Sequence, residues 1–354
     1  MRPWEKNIRR VEPYVPGEQP KKARMVKLNT NENPYGPAPG VRRALLEIDP
    51  DLFRRYPDPE ATQLVSALAR HFDLENDQVF VGVGSDDVLA MCFLTFFNSE
   101  KPILFPDITY SFYSVWAGLF GIPYERPALA ADFSLRPEDY YKENGGVIFP
   151  NPNAPTSLAI GLDSVEDILR HNQDVVVIVD EAYIDFGGES ARPLIDKYEN
   201  LLVVQTFSKS RSMAGMRIGY AMGNAALIKA LNDVKYSFNS YTMDQTALVL
   251  GAAALADDDY FKETTGRIKA TRDRAKERFT ALGFTYPEPS ANFIFVSREG
   301  TDAKDLFTWL KTKDIYVRYF DLPGINDHLR VTIGTDGQME ELYGAIEEYL
   351  KTRP

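Results

Sequence analysis

The chain is poor in the residues that mark disulfide scaffolds, metal centres and polyanion binders. It has a single cysteine among 354 residues. An internal disulfide is therefore impossible, and the setting of Cys92 in Met91-Cys92-Phe93-Leu94 is that of a buried core thiol, which fits a reducing compartment. The histidines are only three, His71, His171 and His328. None is spaced from Cys92 or another histidine as metal ligands are, so no metal is expected. Basic residues are outnumbered, with 40 Lys and Arg against 51 Asp and Glu, a net charge of -11 and a pI near 5.0. That balance excludes a nucleic-acid partner, whose phosphates demand clustered Lys and Arg. No apolar run reaches the roughly 18 residues of a membrane span. The N-terminus, Met1-Arg2-Pro3-Trp4-Glu5-Lys6, has no apolar segment of the signal-peptide kind. The expectation is a cytoplasmic protein with no membrane partner.

What is present is an ordinary globular composition, 44% hydrophobic and 26% charged, enough for one large domain and a smaller one. Residues 1 to 40 are rich in Pro, Gly and Asn and read as an extended arm. A helical pattern from Val41 to Ile48 stops at Asp49-Pro50. Short continuous apolar runs follow: Val79-Phe80-Val81, Ile103-Leu104-Phe105, Val147-Ile148-Phe149, Val175 to Val179, Leu201 to Val204 and Ile218 to Ala221. Continuous rather than alternating runs mark strands covered on both faces. Helical patterns such as Ser85 to Phe97 and Ser164 to Arg170 lie between them. This alternation predicts a mainly parallel α/β sheet with ligands at the strands' carboxyl ends. After about residue 240 the texture changes to a long helix, Asp257 to Leu282, then strands at Phe293-Ile294-Phe295-Val296, Ile315-Tyr316-Val317 and Leu329 to Ile333. The expected organisation is an arm over 1–40 that joins the small domain, a large domain over 41–250, and a small α+β domain over 251–354.

The chemistry concentrates in Gln205-Thr206-Phe207-Ser208-Lys209-Ser210-Arg211-Ser212-Met213-Ala214-Gly215-Met216-Arg217-Ile218-Gly219, which follows an apolar strand. Desolvation in such a small-residue loop favours a neutral amine on Lys209, ready for a Schiff base with an aldehyde. Ser208 and Arg217 flank it, and a guanidinium matches a phosphate in a bidentate way. Taken alone, a Ser-Lys pair in a loop also suits a solvated surface. Asp180 ends the buried strand of Val175-Val176-Val177-Ile178-Val179-Asp180-Glu181-Ala182-Tyr183, where a carboxylate needs a cationic partner or serves as a helix cap. Val81-Gly82-Val83-Gly84-Ser85-Asp86-Asp87 is a strand, a glycine turn and a helix start, an anion cradle in outline. It lacks the GxGxxG spacing of a dinucleotide site.

Together these strings resemble the class II pyridoxal-phosphate (PLP) dependent aminotransferases, which share the Thr/Ser-x-Ser-Lys start and the arginine eight positions on. The resemblance implies fold type I, with a mainly parallel seven-stranded sheet sandwiched by helices and a smaller α+β domain. It implies PLP held by Lys209, its ring nitrogen paired with Asp180, its ring hydroxyl near Tyr183, and its phosphate on Ser85, Asp86, Ser208 and Arg217. Tyr110 matches the aromatic that stacks on the ring. Asn151-Pro152-Asn153-Ala154-Pro155-Thr156-Ser157 is similar to the family's Asn-Pro-Asn-Asn-Pro-Thr-Gly turn. Here Ala154 replaces an asparagine, so the ring-hydroxyl contact must come from Asn153, a shifted turn, or Tyr183 alone.

Glu12-Pro13-Tyr14-Val15-Pro16-Gly17, Leu28-Asn29-Thr30-Asn31-Glu32-Asn33-Pro34 and Arg55-Tyr56-Pro57-Asp58 resemble the histidinol-phosphate aminotransferase branch. In that family Tyr56 reaches the cofactor phosphate of the neighbouring subunit, which implies a homodimer with shared sites. Arg318 and Arg330 sit on short apolar strands, an expensive place without an anion. Exposed arginines on an edge strand are the plainer alternative. By resemblance Arg330 takes the carboxylate of glutamate or the phosphate of histidinol phosphate, Arg318 with Tyr14 helps on the phosphate, and Asn33 also binds substrate. The implied substrates are histidinol phosphate and glutamate or 2-oxoglutarate, exchanged by a ping-pong mechanism. An aromatic amino-acid aminotransferase, a threonine-phosphate decarboxylase and a non-catalytic regulator on the same fold stand as alternatives.

Overall fold

Strands of continuous Val, Ile and Leu need cover on both faces, and the computed structural model, which describes residues 2–22 and 24–352, provides it. In chain order its first elements are β1 (Val26–Lys27), α1 (Pro39–Glu47), α2 (Thr62–Phe72), β2 (Val79–Val83), α3 (Ser85–Phe96), β3 (Ile103–Leu104), α4 (Phe112–Phe120) and β4 (Tyr124–Glu125). There follow β5 (Val147–Pro150), α5 (Leu162–His171), β6 (Val177–Asp180), β7 (Leu201–Thr206), β8 (Ile218–Gly223), α6 (Ala225–Phe238) and α7 (Gln245–Ala256). Seven strands form one sheet in the order β2-β8-β7-β6-β5-β3-β4. Only β8 runs against its neighbours.

Alternate side chains of the central strands enter two different cores. Val147, Phe149, Val177, Val179, Leu201 and Val203 face one. Ile148, Ile178, Leu202 and Val204 face the other. The continuous hydrophobicity of these strands is thus the sum of two alternating patterns, each buried under helices. β4 carries the exposed pair Tyr124 and Glu125, so it has no apolar signature and escapes a search for buried runs.

The later elements are α8 (Asp258–Ala281), β9 (Phe293–Ser297), α9 (Ala303–Thr312), β10 (Ile315–Tyr316), β11 (Arg318–Tyr319), β12 (His328–Thr332) and α10 (Asp336–Thr352). β9, β12 and β11 form an antiparallel sheet whose core includes Ile294, Val296, Leu329, Val331, Leu306, Leu342 and Ile346. Val26 and Leu28 enter this same core, and β1 pairs in parallel with β10. The run Ile315-Tyr316-Val317, expected as one strand, is in fact broken. The chain changes partner at the buried Val317, so β10 serves β1 while β11 serves β12.

Candidate active site

The carboxyl ends of β2, β5, β6 and β7, and the start of the reversed β8, open on one cavity of about 570 Å³. Ligand sites of α/β sheets lie at this edge because the loops and helix starts there present free backbone groups. Lys209 enters from the loop after β7. Its amine donates a hydrogen bond of 3.1 Å to the Thr30 carbonyl and lies 5.5 Å from the centre of the Tyr183 ring.

Asp180 ends β6 and is only 4% exposed. Its Oδ2 accepts from the Tyr113 hydroxyl at 2.8 Å and its Oδ1 from the Ala182 N–H at 3.2 Å. Both donors are neutral. Burial therefore outweighs them and pushes the carboxyl up to about 6. A cation delivered through the cavity would supply what this carboxylate lacks.

The anion cradle is built by close approach of two backbones. A Cβ on Gly219 of β8 would fall 2.3 Å from Gly84 C and Ser85 N, and one on Gly84, at φ +84°, would fall 2.5 Å from the Arg217 guanidinium. Only glycine allows that contact. α3 begins at Ser85 and presents the free N–H groups of its first turn to the cavity. Arg217, itself left-handed at φ 50°, pairs with Asp86 at 3.1 Å, and Asp86 also accepts from the Tyr110 hydroxyl at 2.7 Å. Ser208 is buried with its Oγ 2.9 Å from Thr206 Oγ1. A Gly219→Ala protein should lose about 1–3 kcal/mol of stability, because rigid backbone must give way. Denaturant unfolding of the purified variant checks this.

The opposite wall comes from the smaller sheet. Arg318 and Arg330 lie directly across from each other on β11 and β12. Like charges in that register repel, and among the described residues neither has a carboxylate partner. Arg330 donates to the Asn29 carbonyl at 3.0 Å, while its buried Nε has no hydrogen-bond partner among the described residues. Burial lowers its affinity for its proton. Tyr14 of the arm closes this side, its ring stacked on Phe112 at 4.1 Å.

Of the residues expected from sequence, Tyr14, Ser85, Asp86, Tyr110, Asp180, Tyr183, Ser208, Lys209, Arg217, Arg318 and Arg330 line the cavity. Asn153, Asn33 and Tyr56 are not among its walls. The Asn153 side chain is occupied by Thr109 Oγ1, the Ile108 carbonyl and Thr156 Oγ1. It holds its own turn in place, and it is the neighbouring Ala154 that lines the cavity. Asn33 clamps the lysine loop by donating to the carbonyls of Lys209 and Ser210 at 3.1 Å each. In the structure the amides of Asn153 and Asn33, expected to meet cofactor and substrate, are thus engaged by protein groups outside the cavity wall. Tyr56 is 80% exposed and stacks on Tyr241 outside the cavity. Sequence reasoning missed Tyr113, which carries no local motif, and it did not single out Asn31 and Thr206, although both lie within the strings quoted above.

Residues 23–346 match the family described as aminotransferase class I and II. The chain belongs to the class I and II aminotransferases. It is 49% identical over 350 residues to a histidinol-phosphate aminotransferase of Lactococcus lactis subsp. cremoris, covering 99% of this chain and 98% of that one. It is 51% identical over 349 residues to histidinol-phosphate aminotransferase 2 of Dechloromonas aromatica, covering 98% of each. Among solved structures, histidinol-phosphate aminotransferase from Sinorhizobium meliloti in complex with pyridoxal-5'-phosphate superposes with a TM-score of 0.84 at 25% identity, over 92% of this chain and 91% of that one. The enzyme of the same name from Clostridium acetobutylicum shares the fold at 22% identity, with a TM-score of 0.84 over 92% of this chain and 99% of that one.

The cavity of this aminotransferase suits the cofactor of its family. An amine, a buried carboxylate that forms no ion pair among the described residues, and a glycine-lined helix start with a guanidinium beside it stand around one space. They complement an aldehyde, a ring nitrogen and a phosphate in turn.

Proposed function

We propose that this aminotransferase interconverts histidinol phosphate plus 2-oxoglutarate and imidazole-acetol phosphate plus glutamate, in histidine biosynthesis, using pyridoxal 5'-phosphate. The observation that carries the reading is the opposed pair Arg318 and Arg330, without carboxylate partners, in the cavity that holds Lys209. Two guanidiniums suit a terminal anion, and the phosphate of histidinol phosphate and the distal carboxylate of glutamate are both of that kind. Relatives of that name at about half identity support the choice.

When bound, the cofactor supplies an aldehyde for amine exchange and a ring that accepts the electron pair of the substrate's α-carbon. Ser208, Arg217 and the N–H groups of Ser85 and Asp86 at the start of α3 would hold its phosphate. Asp180 would keep the ring nitrogen protonated, and Tyr183 would donate to the ring oxygen. Lys209 Nζ would be the group that attaches the cofactor and that takes up and returns the substrate's α-proton. Arg318, Arg330 and Tyr14 fix the far end of the substrate so that the α-carbon meets Lys209 Nζ. Two substrates sharing one site in turn gives ping-pong kinetics.

The same reading makes the enzyme a cytoplasmic homodimer. Leu45, Leu46, Leu52, Phe53, Tyr56, Phe238 and Tyr241 are large apolar side chains left exposed, and the Tyr56–Tyr241 stack joins their two stretches. A second copy would cover this surface and receive Tyr56 at its phosphate end. The arm with residues 251–354 forms the small domain and 41–250 the large one, a division supported by the entry of Val26 and Leu28 into the core of the smaller sheet.

Replacing Arg330 by glutamine should raise KM about 10–100-fold for histidinol phosphate and 2-oxoglutarate alike, with kcat less affected. Steady-state kinetics with each substrate varied in turn decide it. An effect confined to one substrate contradicts a shared anion site.

A further inference from the structure

Ala154 leaves the cavity without the amide that the family's turn places there, and the structure compensates through residues remote in sequence. Asn31, 1% exposed and left-handed at φ 57°, donates from Nδ2 to the Tyr183 hydroxyl oxygen at 3.0 Å. Its amide orientation is fixed by Thr332. The Thr332 hydroxyl oxygen accepts the Asn31 N–H at 3.0 Å and gives its own proton to Asn31 Oδ1 at 2.9 Å. With the amide reversed, Thr332 would face two donors and no acceptor for its proton, which is an uncompensated loss in a buried site. The Asn31 carbonyl is held in turn by Asn292 Nδ2 at 3.0 Å.

A tyrosine that already accepts a hydrogen bond from Asn31 has one proton left to donate. No other hydrogen bond engages Tyr183 Oη among the described residues, and Tyr183 lines the cavity. We propose that Asn31 is a positioning residue, locked by Thr332, which turns the Tyr183 O–H into the cavity as a dedicated donor and so replaces the amide missing at Ala154. The proposal rests on the pyridoxal-phosphate reading above, with the ring hydroxyl as the acceptor. A relay Thr332 to Asn31 to Tyr183 runs in one direction, so its far end acts on the cofactor without touching it. Thr332 is not part of the cavity wall.

The loaded enzyme reports this in its spectrum. A donor to the ring oxygen stabilises the anionic oxygen most when the neighbouring Lys209 nitrogen carries no proton. Losing that donor therefore raises the pH at which the visible band of the lysine-bound cofactor titrates. The other charged and titratable groups that face this region, Tyr14, Glu32, Asp86, Tyr110, Asp180, Lys209, Arg217, Arg318 and Arg330, with Tyr113 behind Asp180, are the same in every variant below.

The test is a pH titration of the visible absorbance of the holoenzyme reconstituted with pyridoxal 5'-phosphate. Thr332→Val should shift the transition upward by about one pH unit, the scale of one hydrogen bond to a charged group, and Thr332→Ser should restore it. Asn31→Gly, which keeps the left-handed backbone comfortable, should give the same upward shift if the valine variant folds poorly. In a Tyr183→Phe background the Thr332→Val shift should vanish. Titration of both variants at the wild-type pH, or a shift that survives intact in Tyr183→Phe, overturns the proposal. A wild-type protein that stays colourless with added cofactor overturns the underlying reading and the proposal together.

Discussion

Lys209→Ala protein mixed with pyridoxal 5'-phosphate should show no absorbance band that borohydride bleaches, and its turnover should fall about 10⁴-fold or more. The amine has two duties here, attachment of the cofactor and movement of the α-proton, and an alanine performs neither. The fold should survive. Among the described residues the only hydrogen bond of the amine is to the Thr30 carbonyl, and the loop itself is fastened from elsewhere, by Asn33 on the carbonyls of Lys209 and Ser210. An unchanged melting temperature beside lost colour and lost turnover assigns the effect to chemistry. Stable colour and near-normal turnover in the variant would place the attachment on another residue.

Asp180→Asn should lower turnover about 10²–10³-fold, the range for removing one preorganised electrostatic partner, while making the cofactor-free protein more stable. The carboxyl stands at about 6 when folded against 3.8 as a free side chain, chiefly through burial. An acid with a raised folded pKa favours the fold while protonated. Its contribution is complete below pH about 4 and is lost as the pH rises through about 6. At pH 7 the penalty is about 3 kcal/mol at most. Asparagine escapes it, since its oxygen can keep the Ala182 N–H and its amide can donate to a reversed Tyr113 hydroxyl. Urea unfolding of the cofactor-free proteins between pH 4 and 8 measures this. The wild type should weaken across that window and the variant should weaken less. Part of the slope will remain, because the neighbouring Glu181 is also buried and raised to about 7 despite bonds from Ser190, Ala191 and Gln205. A variant less stable than wild type at pH 7 would mean that Asp180 is held by a cation of the protein itself.

The parts of the site legible in the sequence are those written within a few consecutive residues. Lys209, Ser208 and Arg217 share one loop, Asp180 and Tyr183 one strand end, and Ser85 and Asp86 one glycine turn, so chain geometry alone brings each group together. Contacts between distant segments left no such trace. Asn31 meets Thr332 across 301 positions, and Tyr113 reaches Asp180 across 67. Direction was equally hidden. Asn153 and Asn33 stand in the expected motifs, yet their amides are taken up by the protein itself, that of Asn153 by Thr109, Thr156 and the Ile108 carbonyl and that of Asn33 by the backbone of the lysine loop. The cross-strand opposition of Arg318 and Arg330 depends on a change of strand partner at Val317 that an unbroken apolar run conceals.

The most direct measurement is a coupled assay of the purified enzyme, loaded with pyridoxal 5'-phosphate and given 2-oxoglutarate, in which histidinol phosphate, phenylalanine and threonine phosphate are offered as alternative amino substrates. Glutamate should form fastest from histidinol phosphate, with kcat/KM exceeding that for phenylalanine by about 10²-fold or more, since an aromatic amino acid offers no phosphate to the arginine pair. Threonine phosphate should yield little glutamate and no carbon dioxide. Brisk turnover of phenylalanine, or decarboxylation of threonine phosphate, with histidinol phosphate left unchanged would contradict the account.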